Sequence, residues 1–192
     1  MKKLLALLLG ALIAIQFAVL AAMISGKERI LRDGEAFRFK TRPIDPADPF
    51  RGRYVWLGFE DNYIPLPPGE TPELRRRQPL FAHIETDEAG FARFSGWSLE
   101  RPSAGAYLKT RYQGDFFVFD QETKTSVRKG LRIDLPFDRY YMDEAKAPRA
   151  ERAVAEATRA TNCWAVVRVL NGKAVIEDVC VRGQSIRDLA AK

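Results

Sequence analysis

The sequence predicts an α+β, β-rich protein: an N-terminal transmembrane helix, then an antiparallel sheet or partly closed barrel, with one helix before a C-terminal hairpin. Three observations predict it. Leu4 to Ile24 is an apolar run without a charge, and short β-branched and aromatic runs bounded by Gly, Pro, Ser or Asp recur through the remainder. Near the end, Asn171-Gly172 separates two further apolar runs, the strongest short hairpin signal. At 192 residues the chain accommodates one membrane segment and one ordinary domain, placed at residues 1–26 and 27–192.

Within Leu4 to Ile24 the one strongly polar side chain is Gln16. As a helix rising about 1.5 Å per residue the run reaches about 31 Å, the hydrocarbon thickness of a bilayer. A cleaved signal peptide is the competing reading, with Lys2-Lys3 as its basic start and Val19-Leu20-Ala21 as its cleavage site. Signal cores usually span about 7 to 15 residues, so the longer run favours an uncleaved anchor whose partner is the lipid bilayer. Orientation is not set by charge, because Lys27, Arg29 and Arg32 follow the span while Lys2 and Lys3 precede it. Large downstream domains cross largely regardless of such charges, so the expectation is a domain outside the cytoplasm, periplasmic on a bacterial inner membrane.

Glu35 to Thr41 alternates, Phe37 and Phe39 against Arg38 and Lys40, as a half-buried strand does. Pro43, Pro46 and Pro49 then forbid regular structure. Gly52 permits a turn, and Tyr54 to Glu60 reads as an aromatic strand. Pro65 to Pro79, with five prolines and Arg75-Arg76-Arg77, reads as a solvated loop, the arginines being a candidate contact for anionic headgroups. Strand signals resume at Leu80 to Glu85, Phe91 to Leu99, Ala106 to Tyr112, Phe116 to Phe119 and Leu131 to Leu135. Arg149 to Ala160, opened by Pro148, reads as the helix. The hairpin strands are Cys163 to Leu170 and Lys173 to Val181, and a two-residue turn places Cys163 opposite Cys180. Their Cα atoms would lie about 4.5 Å apart, at the short end of what a disulfide accepts. The register predicts a bridge, two buried thiols being the other state it allows, and a bridge would place the domain in an oxidising compartment.

Asp48-Pro49-Phe50-Arg51-Gly52-Arg53-Tyr54-Val55-Trp56-Leu57-Gly58-Phe59 resembles the signature of the GDYXXLXY family of bacterial proteins. Gly52, Tyr54 and Leu57 match; Arg53 stands where the family has Asp, and Phe59 where it has the final Tyr. The hydrophobic N-terminus, Pro43-Ile44-Asp45-Pro46, the later Arg139-Tyr140-Tyr141-Met142-Asp143-Glu144 and the Asn-Gly hairpin are also similar to the family. The resemblance implies membrane attachment, a β-rich domain and a neighbouring multi-pass membrane protein, and it carries no catalytic activity. On the residues alone, Val55, Leu57 and Phe59 would face the core, while Tyr54 and Trp56 would share the other face, packed under a loop or forming a recognition patch.

Catalytic chemistry has little support. His83 is the sole histidine, and with Cys163 and Cys180 it makes no metal-site spacing. Ser95, Ser98 and Ser103 precede Lys109 without a context that selects a Ser-Lys pair, and phosphate-binding or nucleophile-elbow motifs are absent. No cofactor is implied. Setting Lys2 and Lys3 aside, the net charge falls from +6 to +4, well short of a nucleic-acid footprint. The expectation is a membrane-anchored interaction or sensing module acting with a partner membrane protein. An envelope hydrolase or carbohydrate-active protein, with a cleft beside Trp56 and Trp97, is the alternative.

Overall fold

The computed structural model describes residues 2–42, 54–67, 69–121, 124–141 and 162–191. Helix α1 runs without a break over Lys2–Asp33, beyond the boundary expected at residue 26. No proline or glycine stops it until Gly34, so the polar turn Lys27 to Asp33 continues the apolar rod. β1 (Glu35–Arg42) starts one residue later. There follow β2 (Tyr54–Trp56), β3 (Gly58–Phe59), β4 (Tyr63–Pro65), β5 (Pro79–Thr86), β6 (Ala92–Ser98), β7 (Ala106–Asp120) and β8 (Thr125–Ile133). β9 (Arg139–Tyr141), β10 (Cys163–Leu170), β11 (Lys173–Val181), β12 (Gln184–Ser185) and a short helix α2 (Ile186–Ala191) complete the described chain. The helix expected over Arg149 to Ala160 lies outside the described residues, as does Gly52.

The strands form two five-stranded antiparallel sheets, in the orders β12-β11-β10-β1-β3 and β4-β8-β7-β5-β6, and a ribbon of β2 with β9. The second sheet curls enough to bring its edges β4 and β6 close without closing a barrel. Alternation accounts for the core between the sheets. β10 buries Cys163, Ala165, Val167 and Val169, β1 buries Phe37, Phe39 and Thr41, and β5 buries Leu80, Ala82 and Ile84. An aromatic seam holds them together: Phe39 lies 6.2 Å from Phe59, 6.0 Å from Phe94 and 5.2 Å from Phe137, centroid to centroid. Offset and edge-on rings at such spacings add about 0.5–1.5 kcal/mol per pair beyond the area they bury.

The Asn171-Gly172 turn has positive φ at both residues, 51° and 78°, as a two-residue hairpin requires. It also locks the two sheets. The Gly172 carbonyl accepts the Lys109 amide at 2.8 Å, Arg101 donates to Asn171 Oδ1 at 3.0 Å, and a Cβ on Gly172 would meet the Tyr107 ring at 2.8 Å. The loop from Pro65 to Pro79 is tied down as well, its Leu66 amide donating to Lys129 O and its Arg77 amide to Tyr112 O.

The hairpin register corrects one expectation. From Leu170–Lys173 to Val167–Ile176 the pairing follows the turn, but between Val166 and Val167 it shifts, so that Val166 faces Asp178 and Glu177 is the extra residue of a bulge. Beyond it Trp164 faces Cys180 and Cys163 faces Val181. The two cysteines therefore point to opposite faces of the strand pair, Cys163 into the core, and no disulfide joins them. With the bridge goes the argument for an oxidising compartment. The single strand expected over Tyr54 to Glu60 is two, because Leu57 ends the pairing of β2 with β9 and donates its amide to Asp138 O at 2.8 Å. The stretches read separately at Ala106 to Tyr112 and Phe116 to Phe119 form one long strand, β7, whose register shifts at Gln113 and again between Phe116 and Phe117.

Two measurements check this packing. A Cβ on Gly130 would sit 2.3 Å from Ile64 O and 2.9 Å from the Tyr63 ring, where β8 pairs with β4. Gly130→Val should therefore lower stability in urea unfolding by about 1–3 kcal/mol, the usual cost of overpacking, whereas Gly96→Ala, with open space at its Cβ, should change it little. Burial, followed by the charges of Asp178 and Cys163, pushes the Cys180 thiol up. Less of it is thiolate at a given pH, so its alkylation should be slower than that of an ordinary thiol and keep accelerating at pH values where the ordinary thiol has levelled off. In mass spectrometry of the non-reduced native chain Cys180 should be labelled first and the buried Cys163 only on unfolding; a product that never takes two labels contradicts the register.

Candidate functional site

Of the motif residues, Leu57 and Phe59 lie in the core. Leu57 is 3% exposed and Phe59 4%, Phe59 standing 5.2 Å from Phe137 and pairing in register with Thr41. The position where Phe replaces the family's Tyr is thus an interior ring in an apolar seam, where a hydroxyl is not needed. Tyr54 and Trp56 lie on β2 opposite Tyr141 and Arg139. The second tryptophan of the expected cleft, Trp97, packs partly buried against the core.

His83 sits on the outer face of β5, with Nε2 3.2 Å from Ser98 Oγ across the β5–β6 pair. A serine nucleophile must aim its proton at the base. Ser98 donates its own to the Glu100 carbonyl, 2.8 Å away. Lys109 belongs to the other neighbour of β5, facing Phe81 in register. Among the described residues no group of three or more His, Cys, Asp and Glu side chains could hold a metal ion. An open depression of about 410 Å³ lies at the β5–β6 turn, lined by Thr86, Asp87, Glu88, Ala89 and Arg93. Burial pushes the nearby Asp61 carboxyl up, Glu60 adding to the effect and Lys40 opposing it. Asp87 is committed to the turn itself, its Oδ1 accepting the amides of Ala89 at 3.0 Å and Phe91 at 2.8 Å.

The exposed apolar surface is concentrated in two places. One is α1, whose apolar window is wholly unburied and which is long and apolar enough to cross a membrane. Along it Gly10, Ala14, Ala18, Ala22 and Gly26 recur every fourth residue, a spacing visible in the sequence that lets two helix backbones approach closely. The other is the outer half of the β7–β8 hairpin. β5 pairs with β7 only over Ala106 to Arg111, and β4 with β8 only over Gly130 to Arg132. From Phe117 outward the hairpin is a two-stranded ribbon, pairing Phe117 with Arg128, Val118 with Val127 and Phe119 with Ser126. Phe117 is 54% exposed, Phe119 60%, Val118 43% and Val127 36%. Both faces of the ribbon thus present apolar side chains to solvent.

The base of this ribbon is fixed. Asp115 Oδ1 accepts from the Tyr112 hydroxyl and from Arg128 Nη2, both at 2.5 Å, in a partly buried ion pair. Burial pushes the Tyr112 phenol up, and Asp115 reinforces the shift, so Tyr112 stays a donor throughout the neutral range. Phe116 stacks on Tyr63 at 4.1 Å, and the Arg132 guanidinium carbon lies 5.7 Å from the Phe116 ring centre. Sequence reasoning found the strand over Phe116 to Phe119 but gave no sign of its exposure, since Phe-Phe-Val-Phe is also the composition of a core strand.

No curated protein and no solved structure matches this chain. A family model does, over residues 16–179, which begin within α1 and end in β11, and its description is GDYXXLXY protein. With the match spanning the second half of the helix, the strands from β1 into β11 and the motif around Tyr54 and Leu57, the chain belongs to the GDYXXLXY family.

Proposed function

We propose that this protein is a membrane-anchored, non-enzymatic interaction module that docks on a partner membrane protein from the periplasmic side of a bacterial inner membrane. The observation that carries the reading is the ribbon, where Phe117, Val118, Phe119 and Val127 stand exposed on a base fixed by Tyr112, Asp115 and Arg128. Clustered exposed apolar side chains mark interaction sites, and an unpaired ribbon edge offers backbone groups to a partner strand. The anchor is α1, and its line of small residues suits packing against a transmembrane helix of the same partner. The periplasmic side is part of the proposal, the flanking charges being a weak guide for a large domain, which translocates largely regardless of them.

A photo-crosslinking side chain at Val118, used in intact membranes, should capture a discrete partner. Phe117→Ser with Phe119→Ser should abolish that capture while changing stability by no more than about 0.5 kcal/mol per site, the usual range for exposed positions. Undiminished capture by the double variant, or recovery of the chain alone, contradicts the proposal. For orientation, a reporter active only outside the cytoplasm and fused after Lys192 should be active; a silent reporter inverts the topology.

A further inference from the structure

The joint between α1 and β1 contains one residue, Gly34, and every polar and steric feature around it closes the joint. The Gly34 amide donates to Ile30 O at 2.9 Å, completing the helix as it turns into the strand. Its carbonyl accepts Arg168 Nη1 at 3.1 Å, and the same guanidinium is held by Glu177 through Nε at 2.7 Å and Nη2 at 3.1 Å. Glu177 is the extra residue of the β11 bulge, so a departure from regular pairing places a carboxylate beside the arginine that grips the joint. Ile30, one turn before the end of α1, is 7% exposed where the helix packs on β10 and β11. A Cβ on Gly34 would lie 2.4 Å from Ile30 O and 3.2 Å from both Arg168 Cβ and Val169 O. Two of these three atoms are backbone. The next residue, Glu35, is already in register with Val169.

From this geometry we propose that the joint is a rigid coupler, making α1 and the β10–β1 sheet one mechanical body. The direction of the helix then sets the direction in which the domain faces, and a partner that tilts or rotates α1 moves the sheet with it. A tethered domain on a flexible linker has neither property. The coupler has three parts, each with its own function. Gly34 allows the helix end and β10 to approach; Arg168, on β10, holds the Gly34 carbonyl at the joint; and Glu177 of β11 fixes the arginine's rotamer by a bidentate contact. The proposal deepens the reading of an anchored docking module and rests on it only for the placing of α1 in a bilayer.

The test uses the full chain in lipid nanodiscs with spin-labelled noncanonical side chains, so that both cysteines stay. One pair joins helix and domain, Met23 with Glu88; the control pair lies within the domain, Glu88 with Lys173. The helix–domain distance distribution should be as narrow as the control. Inserting Gly-Ser-Gly-Ser between Asp33 and Gly34 should broaden the first distribution and leave the second unchanged, and Arg168→Met and Gly34→Val should broaden or displace the first in the same selective way. An unmodified chain whose helix–domain distribution is as broad as that of the insertion variant overturns the coupler. Because the control pair reports folding, a variant that fails to fold is recognised by broadening in both pairs, and the unmodified chain compared with the insertion still decides the matter. Failure of the chain to co-migrate with the discs overturns the anchoring reading separately, since the distances are measured whether or not the chain rides with lipid.

Discussion

The structure depends on the entry of β1 into the middle of a sheet immediately after a long helix. Strand β1 has β10 on one side and β3 on the other, and it carries Phe37, Phe39 and Thr41 inward. β10 pairs with it from Glu35 to Lys40 and β3 only at Thr41 and Arg42, so the register with β10 is what restricts the residue before it. Phe39 is the hub of the aromatic seam, reaching Phe59 beside its own strand, Phe94 from the second sheet and Phe137 from the segment before β9. Thr41 fixes the far end, its hydroxyl donating to Cys163 O at 2.9 Å. Pairing and packing thus converge on the element next to the helix.

The first sheet was legible in its strands and illegible in its fine register. Glu35 to Thr41, Cys163 to Leu170 and Lys173 to Val181 follow from alternation and from the Asn-Gly turn, because those signals are local. The bulge is written in the same strand, as a break in its period. Core positions in β11 run Ala174, Ile176, then Val179, Val181, and the three-residue step across the adjacent acids Glu177 and Asp178 breaks a period that is otherwise two. Extrapolating the turn's register through that step put Cys180 on the wrong face. The two acids also have separate employment. Glu177 holds Arg168, while Asp178 accepts from Tyr140, whose hydroxyl in turn accepts Arg187 of α2 at 2.6 Å. Burial raises the Tyr140 phenol against the pull of Arg187, so it stays protonated and can both donate and accept there. α2 itself, six residues anchored by the buried Ile186, is too short to show a helical period.

The candidate interaction site was less legible than the fold for a physical reason. Burial is a property of what covers a side chain, and coverage is set by distant strands. Phe119 ends the continuous apolar run from Phe116 and Phe94 sits between Arg93 and Ser95, yet Phe94 is 2% exposed and Phe119 60%, because β5 and β4 stop before the end of the β7–β8 hairpin. The family motif is the legible case. Its apolar positions, Leu57 and Phe59, face the core as their alternation along the strand predicts, Phe59 packing beside β1.

These constraints combine at the level of orientation. The turn at Asn171-Gly172 fastens the first sheet to β7 through Lys109, and β7 continues from that contact to the ribbon base at Tyr112 and Asp115. The joint at Gly34 fastens the same hairpin to α1 through Arg168. Helix, hairpin, β7 and ribbon are therefore linked in sequence by hydrogen bonds and close packing, and β10–β11 lies between the two exposed apolar surfaces. A contact made by one surface constrains the geometry available to the other. In the proposed docking module this rigidity would be useful: two apolar contacts held at fixed separation would act on one partner together, because ordering the second costs little once the first is made.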